Sequence, residues 1–283
     1  MKSFWKRFSK NRGAVVGLGI LMAFLAVACF ASFIAPYSPQ KVFTDAYKVP
    51  PLWMNGGNFR FLLGTDDIGR DFLTRLIYGS RVSLGVGFVV VVLASFFGTA
   101  LGLMAGFFSG WFDRVVMRFV DILMALPSIL LALVIVAVLG PSLVNGVLAV
   151  SIVALPNFIR IVRAAVLAEK KKTYVDASIG FGASSWRQIM IHILPNCVAP
   201  IIVQSSLGFS EGILSVAALG FLGMGAQAPT PEWGVMLSDA RAYIESASWL
   251  VTFPGICILV VVLSFNLLGD GLRDALDPKL RGR

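Results

Sequence analysis

Charge is what this 283-residue chain has least of. Asp, Glu, Lys and Arg together make 14 % of it, while apolar residues make 57 %. A soluble domain carries roughly 25 % charged and 45–50 % apolar residues. Too few charges remain to clothe a soluble core of this size, so the composition excludes an ordinary soluble globule and points to the bilayer. Histidine occurs once, at His192, which excludes a histidine-based metal cluster. The three cysteines, Cys29, Cys197 and Cys257, each lie in or beside an apolar run without metal-ligand spacing. They read as small buried apolar residues, neither a disulfide framework nor a zinc site. No Gly-x-x-x-x-Gly-Lys-Ser/Thr phosphate loop is present, so ATP hydrolysis is assigned to another polypeptide. No Ser-His-Asp set and no paired carboxylates stand where a pocket is expected, and no catalytic residue is assigned. No internal repeat, low-complexity tract or long linker is visible.

What is there is apolar runs long enough to cross a bilayer, which takes about 20 largely apolar residues. Six are expected: Gly13–Ala35, Val82–Phe108, Val115–Leu139, Leu143–Leu167, Cys197–Leu222 and Trp249–Leu268. Pro127 and Pro156 fall inside the third and fourth, where neighbouring helices and water can satisfy the freed carbonyls. The fold class is therefore all-α and polytopic. Basic residues followed by an apolar run and Ala26-Val-Ala-Cys29 also have the look of a cleaved signal. The run continues through Phe30-Ala-Ser-Phe-Ile-Ala35, however, and is long enough to span.

The net charge of +9 is not spread as nucleic-acid binding requires. It sits in short segments between apolar runs, as the positive-inside rule produces. The N-terminal segment Lys2–Arg12 is basic. So are the stretch carrying Arg160, Arg163, Lys170, Lys171, Lys172 and Arg187 and the tail with Arg273, Lys279, Arg281 and Arg283. Gly140-Pro141-Ser142 is uncharged, and Gln227–Ser248 holds Glu232, Asp239 and Glu245 against Arg241. Six spans then put both termini in the cytoplasm and the Pro36–Arg81 loop outside. The end of that loop, Asp71–Tyr78, has the apolar spacing of a short amphipathic helix at the interface.

Three features carry functional readings. The segment Tyr174–Asn196 predicts a helix, a glycine break at Gly180 and Gly182, and a second helix capped by Ser184 and stopped by Pro195. Such a pair forms a rigid cytoplasmic knob. Gly98, Gly102, Gly106 and Gly110 recur at four-residue spacing and predict a stripe that admits a neighbouring helix closely. Glu211 lies roughly 20 Å into the fifth span, near the midplane. A carboxyl group there either lines a translocation path, with Gly208 and Gly212 beside it, or makes a structural hydrogen bond to a neighbouring helix.

The knob resembles the Glu-Ala-Ala loop of bacterial ABC importer permeases, which ends in Ile-x-Leu-Pro. Asp176, Ala177 and Ser178 stand at the Glu-Ala-Ala positions, Gly182 is the glycine, His192 replaces the isoleucine, and Leu194-Pro195 close the motif. The Asp keeps the charge and the Ser keeps the small size. The His-Ile-Leu-Pro-Asn ending is similar to the peptide and nickel branch. Leu63–Asp71, Met117–Asp121, Pro229–Gly234 and Gly269–Pro278 are similar to further stretches of that branch, and Ala218–Gln227 with the run after it most resembles its dipeptide permeases. The likeness runs from Asn11-Arg-Gly-Ala-Val-Val-Gly17 to the C-terminus.

The resemblance implies a type-I ABC importer transmembrane domain with one extra N-terminal helix. It implies residues 1–79 as N-terminus, first span and outer loop, residues 80–270 as the transmembrane domain with the coupling loop at 174–196, and residues 271–283 as a cytoplasmic tail. The expected function is uptake of dipeptides or short peptides across the bacterial inner membrane by alternating access. Oligopeptide, nickel and haem-precursor uptake share most of these stretches. The implied partners are a homologous second permease, two ATPase subunits that bind ATP and Mg, a periplasmic solute-binding protein and membrane lipid, with no nucleic acid. Tyr174, Asp176, Ala177, Ser178, Gly182, His192, Leu194 and Pro195 are expected to couple to the ATPases. Asp66, Asp67, Arg70, Asp71, Glu232 and Trp233 are expected to dock the binding protein. An ATPase-independent secondary transporter would instead show several midplane charges and no knob, and a membrane enzyme would need catalytic side chains at bilayer depth.

Overall fold

The computed structural model describes residues 2–276. A short helix α1 (Lys2–Phe8) precedes α2 (Arg12–Cys29) and a single turn α3 (Ala31–Ile34). The irregular segment 35–71 leads into α4 (Phe72–Phe108), followed by α5 (Gly110–Met124), α6 (Ser128–Leu139), α7 (Leu143–Glu169), α8 (Thr173–Gly180) and a turn α9 (Ser185–Arg187). The chain then passes through a wide helical stretch, Gln188–Ile193, into α10 (Leu194–Phe221), a short α11 (Trp233–Ala240) and α12 (Trp249–Leu276). Among the described residues, five helices are long and apolar enough to cross a membrane, and six spans result if the bent pair α5–α6 counts as one. The tail residues Lys279, Arg281 and Arg283 lie outside the described residues.

The ends of these helices are sealed by side chains, as a bilayer demands of polar backbone. Asn11 caps α2 by accepting from Ala14 N at 3.1 Å. Asp71 caps α4 through Thr74 N at 2.8 Å, and Ser142 caps α7 through Asn145 N at 3.1 Å. Asn145 also donates to the carbonyls of Leu139 and Gly140, closing the end of α6. Arg81 reaches from α4 to the carbonyls of Ala28 and Cys29, and Lys170 donates to the Phe107 carbonyl at the far end of α4.

Packing follows small residues. Gly98, Gly102 and Gly106 face Phe158, Val162 and Val166 of α7, with an added Cβ meeting them at 2.4–2.8 Å. Gly110, expected in the same stripe, is a correction: it lies past the end of α4 at φ +64°, with nothing within 4 Å of a Cβ. On the other flank Gly17 of α2 lies against the Ser264 carbonyl of α12, and Gly271 of α12 lies against Ala14. The extra N-terminal helix is thus clamped to the last span.

Three expected boundaries are redrawn. The interfacial helix at Asp71–Tyr78 is the opening of α4, so the boundary at residue 79/80 falls inside one continuous helix. The third span is not straight. Its halves are bent by 92° at the break before Ser128, because Pro127 donates no N–H and forces Leu126 out of helical backbone. Pro195 does not stop the second knob helix, which continues as one apolar helix from Ser185 to Phe221. The missing N–H of Pro195 is absorbed by the wide stretch just before it. Pro156, Pro200 and Pro254 stay inside α7, α10 and α12.

Candidate functional site

The knob is built on the ends of three helices. Val175, Ile189, Ile193 and Cys197 are buried against Leu103 and Phe107 of α4 and Val162 and Val166 of α7. Above this apolar seat runs a polar chain. Lys172 pairs with Glu169 at 2.7 Å, Tyr174 donates its hydroxyl hydrogen to the same carboxylate, and Asn196 donates to the Tyr174 oxygen at 3.1 Å. Asn196 also donates to the His192 carbonyl at 2.8 Å. Glu169 ends α7, Tyr174 opens α8 and Asn196 opens α10, so this chain fastens two spans to the knob between them. Burial, reinforced by the bond to Glu169, pushes the Tyr174 phenol up to about 12. The hydroxyl therefore stays a donor throughout the physiological range.

The break between α8 and α9 has a defined geometry. Gly182 sits at φ +79°. Ala183 N donates to the Ser178 carbonyl at 3.0 Å, and Gly182 N to the Ile179 carbonyl at 2.9 Å. This pair of bonds is the Schellman end of a helix, in which the residue after the cap adopts the left-handed region that glycine tolerates. Nothing lies within 4 Å of a Cβ at Gly182, so its constraint is backbone conformation and not a close approach within this chain. Ser184 caps the next turn through Arg187 N, as its position predicts, and Gln188 donates to the Ala183 carbonyl at 2.8 Å.

Asp176 is exposed in the first turn of α8, where the helix dipole favours a negative charge. Ala177 is exposed, and the Ser178 hydroxyl donates back to the Val175 carbonyl. Leu194 is half-buried beside the apolar seat, Pro195 is exposed, and His192 contributes its carbonyl to the Asn196 bond. The outer faces of the knob are apolar. Phe181 is 93 % exposed and Trp186 70 %, with Ile179 and Ile191 also open.

Sequence reasoning missed Glu169 as a member of this cluster and treated Asn196 only as the end of the segment. It also placed Arg160 and Arg163 among loop charges. Both lie within α7 and bind α5, Arg163 to Asp113 in a two-pronged pair and Arg160 to Asp121 at 2.9 Å. An acid closing a span a few residues before a tyrosine, and the Asn after Leu-Pro, were the available signals.

Glu211 sits ten residues before the end of α10 at Phe221, about 15 Å along the axis and so near mid-bilayer. Its side chain is exposed on the surface of the bundle, and among the described residues no polar partner reaches it. Ser210 beside it bonds Asn266 of α12. Gly208 and Gly212 do not flank an open space. They are buried, with Phe158 and Val90 respectively at 3.4 and 3.1 Å from an added Cβ.

The expected docking set is mostly interior, a correction to its reading as a surface. Asp66, Arg70, Asp71, Glu232 and Trp233 are all buried, and Asp67 alone is half-buried. Asp66 pairs with Arg70 at 2.6 Å and with Arg75 at 3.5 Å. Glu232 accepts from Gly234 N, Val235 N and the Ser83 hydroxyl, and Trp233 donates its indole N–H to the Leu76 carbonyl. These side chains pin the 35–71 segment and α11 onto α4. Burial pushes the Asp71 and Glu232 carboxyl groups up, against the pull of the backbone donors that each accepts from.

Residues 98–282 match the family described as binding-protein-dependent transport system inner membrane component, and residues 1–51 match the N-terminal TM domain of oligopeptide transport permease C. The dipeptide transport system permease protein DppC of Escherichia coli (strain K12) is 59 % identical, over 99 % of this chain and 94 % of that protein. The di/tripeptide transport system permease protein DppC of Pseudomonas aeruginosa (strain UCBPP-PA14) is 53 % identical, over 99 % and 93 %. A glutathione transport system permease protein GsiD of Escherichia coli O6:K15:H31 is 43 % identical, over 99 % and 90 %. Among solved structures, a chain of the inward-facing MetNI methionine ABC transporter superposes with a TM-score of 0.59 at 17 % identity, covering 72 % of this chain and 98 % of that one.

Proposed function

The chain belongs to the family of binding-protein-dependent transport system inner membrane components, and from that premise we propose that it carries dipeptides and other short peptides inward with both termini in the cytoplasm. It is a multi-pass permease subunit of an ABC transport system and not the ATPase subunit. The peptide assignment rests on the dipeptide and di/tripeptide relatives, whose identity exceeds that of the glutathione relative. The working assembly has a second, homologous permease, two ATPase subunits that hold ATP and Mg, and a solute-binding protein outside.

One observation carries the coupling role: the Glu169–Tyr174–Asn196 chain joins the knob to two spans while Phe181 and Trp186 face outward. An ATPase surface that seats those rings moves the knob, and the polar chain passes the displacement to α7 and α10 together. Alternating access is then a relative tilt of those helices. Residues 2–71 form the entry segment, and α4 through α12 form the moving core. For the solute-binding protein, the exposed Trp53, Phe59, Leu62 and Ile68 of the outer segment, with Asp67, offer the contact surface. Glu211 faces the aqueous path between the two permeases, since a carboxyl group turned to lipid at that depth is costly and among the described residues no polar partner reaches it.

The test is complementation. A strain lacking this subunit should regain uptake of a labelled dipeptide when the chain is restored, with unlabelled dipeptides competing and nickel ions not. Restored nickel uptake without peptide uptake overturns the assignment.

A further inference from the structure

A groove of about 700 Å³ runs between α2, α4 and α12 and is floored by α10. Its walls are Leu21 and Leu25 of α2 and Phe88 of α4, and its base is the stacked pair Phe209 and Phe265, whose ring centres are 3.9 Å apart. That volume lies within the roughly 300–1,000 Å³ range of small-molecule sites. Halfway along, Gly85 leaves open space, with nothing within 4 Å of an added Cβ. At one end stands Arg81. It donates from Nε to the Ala28 carbonyl at 2.9 Å and from Nη2 to the Cys29 carbonyl at 3.1 Å. A guanidinium has five N–H donors, so three remain, on a side chain that is exposed.

We propose that this groove is a phospholipid site, with acyl chains lying along α2 and the phosphate held by Arg81. The order of chemistry in the groove is the order within one lipid molecule: a long apolar slot, then a cation with donors to spare at the slot's end. A transmembrane helix laid in the same slot would match the apolar walls but bring no anion to Arg81. The site also lies between the extra N-terminal helix and the core, so an occupant fills the space that the Gly17 and Gly271 contacts leave open. Which leaflet supplies the lipid depends on the topology proposed above, while occupancy itself does not.

The experiment uses the assembled complex, delipidated in detergent and titrated with phosphatidylglycerol while native mass spectrometry counts bound lipid. The wild type should hold one phosphatidylglycerol more than Gly85→Leu, whose side chain fills open space and leaves the fold intact. Arg81→Gln should weaken that binding about fivefold, the effect of one basic residue at a membrane surface, and Arg81→Lys should weaken it less. A photo-crosslinker at position 25 should capture lipid. Equal lipid counts in wild type and Gly85→Leu overturn the proposal, as does a crosslink from position 25 to the second permease in place of lipid.

Discussion

Replacing Gly102 by alanine tests the seam on which the bundle is built. The added methyl carbon would stand 2.8 Å from Val162 Cβ, 3.1 Å from its Cγ1 and 2.9 Å from the Ile159 carbonyl oxygen. Carbon atoms rest about 3.5–4.0 Å apart, so α4 and α7 must part by about 0.7–1 Å. None of these atoms can swing away, since two belong to a β-branched side chain at its root and one is backbone. Overpacking of this kind costs about 1–3 kcal/mol. Alanine's better helix propensity returns about 0.8–1 kcal/mol. The net expectation is a loss of about 0–2 kcal/mol centred near 1 kcal/mol, or roughly 2–4 °C in unfolding midpoint at that centre for a chain of this size. Gly19→Ala is the control, because nothing lies within 4 Å of its Cβ. It should leave the midpoint unchanged or raise it slightly. The assay is thermal unfolding of the purified complex, with both variants measured in one detergent. Equal shifts in the two variants would refute the argument that the stripe sets the helix separation.

Gly182→Val forces a β-branched residue into left-handed backbone, at about 1–2 kcal/mol; uptake per inserted complex should fall several-fold with membrane insertion unchanged, and normal uptake removes the knob from coupling. Tyr174→Phe should abolish a pH-dependent component of stability. The folded pKa is raised from 10 to about 12, so that component is whole below pH 10 and lost as pH climbs from 10 toward 12; alkaline unfolding curves of wild type and variant that superimpose would refute it. Glu211→Gln keeps shape and removes charge, and should slow uptake of peptides with a free amino terminus while complex yield is preserved; unchanged uptake per complex ends its role in the path. In a cysteine-free background, Tyr47→Cys should react with an impermeant thiol reagent from outside and Phe181→Cys only from the cytoplasmic face, and outside labelling of position 181 sinks the proposed topology.

The spans were legible because their signal is length and hydrophobicity, which no tertiary contact has to complete. The breaks were less so, because proline is ambiguous. Pro127 and Pro195 carry the same missing N–H, yet one bends the chain by 92° and the other is absorbed in a continuous helix. The difference lies in how the chain is anchored around each proline. Ser128 begins a helix that runs along a new direction against α7, and Asp113 and Asp121 hold α5 in place through Arg163 and Arg160. Around Pro195 the buried Ile193 and Cys197 keep the helix in line with the seat made by α4 and α7. Those anchors are far apart in sequence and cannot be read from the neighbours of either proline.

The same reasoning explains why the helix break of the knob was legible in the sequence and the burial of the outer-face charges was not. On the knob the acidic and small residues sit on exposed helix surface, where local spacing and caps decide the conformation. On the outer face Asp66, Arg70 and Asp71 look like solvated loop charges, yet each meets a partner within the same short stretch: Asp66 with Arg70, Asp71 with Thr74 N. Pairs so close in sequence satisfy one another and can then be covered, which is what the packing of α11 and Trp233 on α4 does. An Asp-Asp-x-Gly-Arg-Asp run ahead of a long apolar helix is therefore better read as the polar lock of that helix's entrance than as a docking surface. The apolar Trp53, Phe59 and Ile68 left outside the lock are the residues with area to offer a partner.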